Sequence, residues 1–269
     1  MADDEPVTWI PPLARALAIG LAFTTALGLS GKPSTAATTE PYLAASIPVA
    51  DGCIVLGREW SGNKVFLVQR RLGTSYEKDR YLQGTYDAVS RFQRNHSLTA
   101  SGRVDRRTWL ALGMARSFCM DRYTVQPTVK SDATTQQRIE AMIGWAREQV
   151  GRRYIWGGAG PIGYDCSGLA LQAMYSAGRV LPSVTTKLHQ RQDFPTAAAI
   201  LRSGLRRVSV TERRRGDLVF YGPAGSITHM AIYLGHDRVI EAVRPRVQLA
   251  GLWSHDVPLK PRVVRPFGR

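Results

Sequence analysis

The sequence is poor in the residues that build metal sites and membrane spans. It has three cysteines and five histidines in 269 residues, and none of them shows the C-x-x-C or H-x-x-x-H spacing of a zinc site. Its main apolar run, residues 16–29, has 14 residues and is too short to span a bilayer comfortably. We therefore expect no metal site, no cofactor and no transmembrane segment.

Acidic residues are also scarce. The chain carries 36 Lys and Arg against 21 Asp and Glu, a net charge of +15 at pH 7. Such a field attracts polyanions, among them wall polymers, anionic lipid surfaces and nucleic acid. No helix-turn-helix, RNP or zinc-finger signature accompanies the charge. We therefore interpret the basic run at residues 213–215 as a solvated loop and expect no specific nucleic-acid partner.

Residues 1–50 are interpreted as an export signal followed by a disordered spacer. The apolar run suits the h-region of a signal peptide, and the small residues at 34–37 suit a cleavage site. Asp3, Asp4 and Glu5 are atypical of the start of such a signal. An uncleaved amphipathic anchor or a misplaced start therefore remains an alternative.

The most informative stretch is residues 165–169 (DCSGL), which follows a turn rich in Gly and Pro at residues 157–163. Apolar residues then recur at helical spacing, so Cys166 is predicted to lie in the first turn of a helix that stops near Gly178. Unpaired N–H groups and the positive end of the helix dipole favour a thiolate there, and the thiolate is the nucleophile. The alternative is a buried structural cysteine.

A nucleophilic cysteine needs a base and a group that orients the base. Among the histidines, only His229 opens a strand-like run, and residues 235–238 then indicate a hairpin turn before a second strand. Glu241 lies 241 − 229 = 12 residues after His229, an even separation that puts both on one face, opposite or diagonal. We predict that Glu241 accepts the Nδ1–H of His229 and leaves Nε2 free for the thiol. The alternative is a histidine that caps a strand and a solvated edge carboxylate.

Four ordered blocks in the second half of the chain resemble those of NlpC/P60 cysteine peptidases. They are residues 154–158 (YIWGG), 165–169 (DCSGL), 216–221 (GDLVFY) and 229–235 (HMAIYLG). The resemblance covers residues 134–269 and implies an α+β fold with a papain-like catalytic core. It further implies hydrolysis of the stem peptides of bacterial peptidoglycan, most commonly at the bond from D-γ-glutamate to a diamino acid.

The resemblance also implies residue roles. The nucleophile of the family maps to Cys166, its base to His229 and its third polar residue to Glu241. The backbone N–H of Cys166, at a helix start, is a natural oxyanion donor.

Three further residues map to positions around the substrate. Tyr154 matches a tyrosine thought to assist the oxyanion region, and Asp165 and Ser167 resemble substrate-facing positions. A simpler interpretation makes Asp165 a helix N-cap and Ser167 a first-turn residue, and both interpretations can hold together.

Residues 51–123 carry three short helical patterns. Their text at 68–72 (VQRRL), 84–89 (GTYDAV) and 102–109 (GRVDRRTW) resembles a type 1 peptidoglycan-binding domain. That resemblance implies a small all-α, three-helix fold that docks on wall stems.

Two cysteines bracket this small segment. A bridge between Cys53 and Cys119 would close a loop of 119 − 53 = 66 residues and leave Cys166 free. The alternative is a pair of buried thiols in a reducing compartment. Residues 124–133 lack apolar periodicity and are interpreted as a linker. A helix should begin near Thr134, where Thr134 and Gln137 have capping-box spacing.

Together these features predict a secreted or envelope-located bacterial peptidase, acting as a monomer, with its catalytic domain at residues 134–269. Its expected partners are peptidoglycan stem peptides and anionic wall polymers. Two other classes remain: a wall-binding protein whose catalytic half is idle, and a basic binder of nucleic acid or membrane surfaces.

Overall fold

The computed structural model describes residues 53–119, 126–181 and 196–268, which belong to one compact unit spanning Glu40–Arg269. The export segment expected within residues 1–50 lies outside the described residues, as does the start of the expected linker, residues 124–125. Within the described ranges, no helix combines the length and apolar character needed to cross a bilayer.

Residues 53–119, hereafter the small helical domain, pack three α-helices around one apolar core. The elements are α1 (Asn63–Leu72), a 3-10 turn (Ser75–Glu77), α2 (Gln83–Asn95) and α3 (Arg106–Ala111). Trp109 is fully buried at the centre with Val65 and Val89. In the structure a disulfide joins Cys53 to Cys119, and Cys166 is a free thiol. The three-helix prediction is confirmed.

The second half begins with a helical layer. Its members are α4 (Thr135–Glu148), α5 (Cys166–Ser176) and the short α6 (Ala197–Leu201). The predicted capping box at the start of α4 is confirmed, because the side chains and backbone N–H groups of Thr134 and Gln137 bond each other reciprocally. The described part of the expected linker is tied to this layer: the N–H of Thr128 donates to the carbonyl of Ser176 at 2.8 Å. The domain boundary itself stays a prediction.

The described residues also form an eight-stranded sheet. Its strands are β1 (Arg153–Tyr154), β2 (Gly163–Tyr164), β3 (Arg206–Ser209), β4 (Leu218–Tyr221), β5 (His229–Gly235), β6 (Arg238–Val243), β7 (Arg246–Gly251) and β8 (Arg262–Arg265). A further 3-10 turn, Val210–Glu212, follows β3. The spatial order is β2-β1-β7-β6-β5-β4-β8-β3. Only the β1–β2 pair of this sheet is parallel.

The central strands are buried on both faces of the sheet, and a different apolar cluster covers each face. Along β4 and β6, Phe220 and Ile240 face the helical layer and pack with Met174 of α5. The alternate residues, among them Val219 and Tyr221, build a second apolar cluster on the opposite face. This period-2 alternation is what a sheet covered on both sides requires. The expected α+β class is confirmed, and the start of α5 lies against the sheet at the strands that carry the candidate site.

Candidate active site

Helix α5 begins at Cys166 because Asp165 caps it. The Asp165 carboxylate accepts the backbone N–H of Gly168 at 2.7 Å and that of Gly157 at 3.0 Å. It also accepts the hydroxyl of Ser167 at 2.9 Å. Asp165 and Ser167 are almost fully buried. The N-cap and first-turn interpretations are therefore confirmed, whereas a substrate-facing role for either residue stays a prediction.

The glycine of the DCSGL block has a steric reason. A Cβ on Gly168 would collide with the carbonyl oxygen of Gly158. The first turn of α5 can therefore lie directly on the preceding glycine-rich loop only when residue 168 has no side chain. This close approach holds the first turn of α5, which carries Cys166, against the glycine-rich loop.

Cys166 lines the cleft, but its surroundings disfavour a thiolate. Burial raises the pKa of the Cys166 thiol above its ordinary value, and the negative charge of Asp165 raises it further. Hydrogen bonds from the backbone N–H groups of Met230 and Ser167 lower this pKa by less. The prediction that the helix start favours a thiolate is therefore wrong, because desolvation outweighs the dipole and the N–H donors.

The same hydrogen bond locates the sulfur relative to the predicted base. Met230 follows His229 in β5, and its backbone N–H contacts the sulfur of Cys166. The thiol therefore lies against the end of the strand that carries the imidazole. Cys166 and His229 both line one cleft.

The β5–β6 hairpin brings His229 and Glu241 to one sheet face. Ile232 pairs with Ile240, and the register shifts between Tyr233 and the turn. Continued along the strands, this register places Glu241 diagonal to His229 rather than opposite it. The prediction of a shared face, with a diagonal relation as one of its two options, is confirmed.

His229 bonds Glu241 through a different ring nitrogen from the one predicted. Nε2 of His229 lies 2.7 Å from Oε2 of Glu241, so the expectation that Nδ1 faces the carboxylate is wrong. A diagonal partner is more distant than an opposite one, and the outer nitrogen of the ring is the one that reaches it. This bond leaves Nδ1 of His229 as the ring nitrogen that does not face the carboxylate.

Glu241 is a buried carboxylate rather than a solvated edge charge, since it is 1% exposed. Burial raises the pKa of Glu241, but its hydrogen bond to His229 and its electrostatic interaction with that imidazole outweigh burial and hold the pKa below its ordinary value. Gln248 of β7 donates to Oε1 at 3.1 Å. The sequence analysis did not name Gln248. Gln248 of β7 pairs directly with Glu241 of β6, so the alternation of side chains along these two strands could have indicated it.

A second histidine joins this pair. Nε2 of His255 lies 2.8 Å from the same Oε2 of Glu241; the distance is that of an ion pair, but the N–H direction does not satisfy a hydrogen bond. The ring centroids of His255 and Tyr221 are 4.2 Å apart, and those of His255 and His229 are 4.9 Å apart. His255 follows β7 in a segment without apolar periodicity, so no local pattern in the sequence indicated it.

The ligand atoms of His229, Glu241 and His255 all lie within 4.8 Å of one another. Two imidazole nitrogens and one carboxylate oxygen are donors that suit Zn²⁺. Sequence spacing indicated no metal site, because these three residues come from separate segments that meet only in the folded sheet. Two of these three residues, His229 and Glu241, are the predicted base and its orienting group.

Tyr154 lies on the loop side of the cleft. Burial raises the pKa of Tyr154 above its ordinary value, and the nearby carboxylate of Asp165 acts in the same direction. Its hydroxyl therefore stays neutral and can donate a hydrogen bond. The guanidinium of Arg244 lies 5.0 Å from the centre of the Tyr154 ring.

Cys166, His229, His255 and Tyr154 open into a cleft of about 940 Å³. That volume falls in the range of small-molecule and peptide sites. The order thiol, imidazole, carboxylate is the arrangement of nucleophile, base and orienting group that acyl transfer requires.

Family models identify the two halves of the chain. Residues 151–257 match the model of the NlpC/P60 family. Residues 61–112 match a second model, "Putative peptidoglycan binding domain". The resemblances drawn from sequence blocks are thus confirmed for both halves, and the NlpC/P60 segment contains all three residues of the predicted triad.

Curated relatives are similar over the NlpC/P60 segment. Peptidoglycan endopeptidase RipB of Mycobacterium tuberculosis is 32% identical over 123 residues, which cover 41% of this chain and 45% of RipB. Peptidoglycan endopeptidase RipA of the same organism is 32% identical over 120 residues, 40% of this chain and 22% of RipA. The chain thus spans less than half the length of either relative. The crystal structure of the P60 domain from the M. avium paratuberculosis antigen MAP1272c is 27% identical, with a TM-score of 0.39, and covers 49% of this chain and 94% of that one.

Proposed function

We propose that the chain is a peptidoglycan endopeptidase that cuts stem peptides through Cys166, His229 and Glu241. The observation that carries the proposal is the placement of a free thiol against the strand of His229, with His229 bonded to a buried carboxylate in the same cleft. The bond we assign to it is the one from D-γ-glutamate to the diamino acid.

The proposed reaction begins from the neutral thiol. Nδ1 of His229 takes the proton of Cys166, and the thiolate attacks the carbonyl carbon of the scissile amide. The backbone N–H of Cys166 at the start of α5 stabilises the oxyanion. The tetrahedral intermediate collapses when the leaving amine takes the proton from His229, and a thioester remains on the sulfur.

Water completes the turnover. His229 removes a proton from water, which attacks the thioester carbon, and the returning proton restores the thiol as the carboxylate product leaves. Throughout, Glu241 holds the imidazole by Nε2 and stabilises the imidazolium that forms twice in each cycle. This chemistry uses only side chains and backbone groups of the chain.

Substrate and location follow from three supports. The relatives are named peptidoglycan endopeptidases, the small helical domain matches a peptidoglycan-binding model, and the net charge of +15 suits anionic wall polymers. We therefore place the enzyme, as an exported monomer, in the bacterial cell envelope.

The test is digestion of purified sacculi with the wild type and with Cys166→Ala. The wild type should release new amino groups and muropeptides, Cys166→Ala should release none, and mass spectrometry of the products should show cleavage after D-γ-glutamate. Circular dichroism of both proteins controls for folding. Release by both proteins or by neither contradicts the proposal. Binding to sacculi without release would instead identify a wall-binding protein, and salt-sensitive binding to DNA or anionic vesicles alone would identify a polyanion binder.

A further inference from the structure

The small helical domain is fastened to the loop that precedes Cys166. The side chain of Asn63, at the start of α1, accepts the N–H of Gly163 at 2.9 Å. It donates to the carbonyl oxygens of Gly160 at 3.1 Å and Gly163 at 3.3 Å. Asn63 is 1% exposed. A buried amide that satisfies three backbone groups about a hundred residues away makes a specific contact, because each group would otherwise lie desolvated without a partner.

A second contact lies beside the first. Oδ2 of Asp79 accepts the backbone N–H of Trp156 at 3.2 Å and the guanidinium of Arg244 at 3.4 Å. Asp79 has a left-handed backbone, with φ at +68°, and its own N–H donates to Oε1 of Gln69 at 3.0 Å. A residue in this conformation persists where its surroundings hold it. The small helical domain therefore holds the turn at Asp79 in place, and the Asp79 carboxylate contacts the loop that precedes Cys166.

Between these contacts, two segments of the small helical domain pair and face the cleft. The N–H of Tyr81 donates to the carbonyl of Trp60 at 2.8 Å, and the N–H of Glu59 donates to the carbonyl of Tyr81 at 3.1 Å. The residues of these segments that line the cleft are Glu59, Trp60, Ser61, Arg80 and Leu82. Across the cleft stand Tyr154, Trp156, Cys166 and His229. One cavity is thus walled by both halves of the chain.

We infer that the small helical domain completes the substrate cleft, and that Arg80 binds a carboxylate of the stem peptide beside the scissile bond. The inference rests on the proposed function. It assigns one carboxylate of the substrate to Arg80, which lies outside the NlpC/P60 segment. In this arrangement the small helical domain selects the peptide that Cys166 attacks.

The arginines that line the cleft are Arg80 and Arg244, and the exposed carboxylate of Glu59 lies on the same wall as Arg80. Arg244 already pairs with Asp79, and the carboxylates of Asp165 and Glu241 are occupied by donors of the site itself. Arg80 is exposed and lines the cleft. A stem peptide with a γ-linked D-glutamate has a free α-carboxylate next to the amide that we propose is cut. A guanidinium matches such a planar carboxylate bidentately.

The test measures peptide affinity in a Cys166→Ala background, where no hydrolysis occurs. The probe is synthetic L-Ala-γ-D-Glu-meso-diaminopimelate, titrated calorimetrically against Cys166→Ala, Cys166→Ala/Arg80→Ala and Cys166→Ala/Arg91→Ala. Arg91 is the matched control, an exposed arginine of α2 that lies outside the cleft lining. Loss of Arg80 should weaken binding about tenfold, as expected for a hydrogen bond to a charged group, and loss of Arg91 should leave it unchanged.

A second peptide, with the α-carboxylate of the glutamate amidated, closes a double-mutant cycle. It should bind the protein that retains Arg80 about tenfold more weakly than the first peptide, and Arg80→Ala should then cause no further loss. Equal affinity of the Arg80 and Arg91 variants, an equal Arg80 effect on both peptides, or no binding of either peptide would each overturn the inference. Sacculus digestion by the wild type decides the proposed function separately: peptide binding without hydrolysis would remove the endopeptidase and leave the cleft assignment standing.

Discussion

Replacing Glu241 with glutamine removes one charge from the candidate site and little else. Glu241 is 1% exposed, and its carboxylate lies 2.7 Å from His229, 2.8 Å from His255 and 3.1 Å from Gln248. A glutamine has the same shape, and its amide oxygen can still accept the Nε2–H of His229. The side-chain amide of Gln248 can rotate to offer its oxygen to the new NH₂ group. Glu241→Gln should therefore fold, and its effect on activity should be electrostatic.

The expected size of that effect follows from the bond that changes. A hydrogen bond to a charged group contributes about 1.5–3 kcal/mol and one between neutral groups about 0.5–1.5 kcal/mol. The carboxylate stabilises the imidazolium of His229 most when the proton has left the thiol, so the difference, about 1–2 kcal/mol, is lost mainly from the transition state. That loss corresponds to a roughly 5- to 30-fold lower kcat.

The measurement is the rate of amine release from a soluble muropeptide, at saturating and at limiting concentration, for the wild type and Glu241→Gln. Glu140→Gln is the matched control, because Glu140 is also ion-paired, to Arg215 at 2.7 Å, but is exposed on α4 outside the cleft lining. A fall in kcat with an unchanged KM supports the assignment. Wild-type kcat in a folded Glu241→Gln protein, or an equal fall in Glu140→Gln, refutes the reasoning.

Three further predictions concern stability. The double change Cys53→Ser/Cys119→Ser releases a loop of 66 residues and should lower the free energy of unfolding by about 4 kcal/mol; guanidinium denaturation that matches the wild type would show that the bridge is absent or inert. Asn63→Ala leaves buried backbone groups without a partner and should weaken the docking of the small helical domain by about 2–3 kcal/mol. Hydrogen exchange at residues 160–163 should then be faster. Asn95→Ala, a change at an exposed asparagine, should leave that exchange unchanged. Burial raises the pKa of Asp165 from 3.8 to about 6. The stability that the protonated Asp165 contributes is therefore full below about pH 3.8 and is lost as the pH rises through about 6. The free energy of unfolding should fall by about 3 kcal/mol over this range. In Asp165→Asn this pH-dependent loss should vanish, as urea denaturation at pH 4 and pH 7 would show.

Elements whose causes lie within a few residues were predictable. Thr134 and Gln137 satisfy each other across one turn, and Asp165 satisfies Gly168 three residues later. The β5–β6 hairpin follows from apolar alternation on either side of a four-residue turn signal.

The candidate site likewise has features that local sequence patterns predicted and features that they did not. Which residues share a sheet face depended on parity, so His229 with Glu241 could be predicted. Which imidazole nitrogen bonds the carboxylate depended on a register shift near the turn, which single-residue alternation does not encode. The direction of the Cys166 pKa also escaped prediction, because it sums burial by distant segments against the local helix start.

By itself the sequence predicted the three helices of the small helical domain, the starts of α4 and α5, the β5–β6 hairpin and the resemblance of each half to a family. Only the tertiary structure added His255 to the pair of His229 and Glu241, and only it set the small helical domain into the wall of the cleft. The physical reason is distance along the chain. Caps and alternation are satisfied by neighbours, whereas burial and the meeting of separate segments exist only after the whole chain has packed.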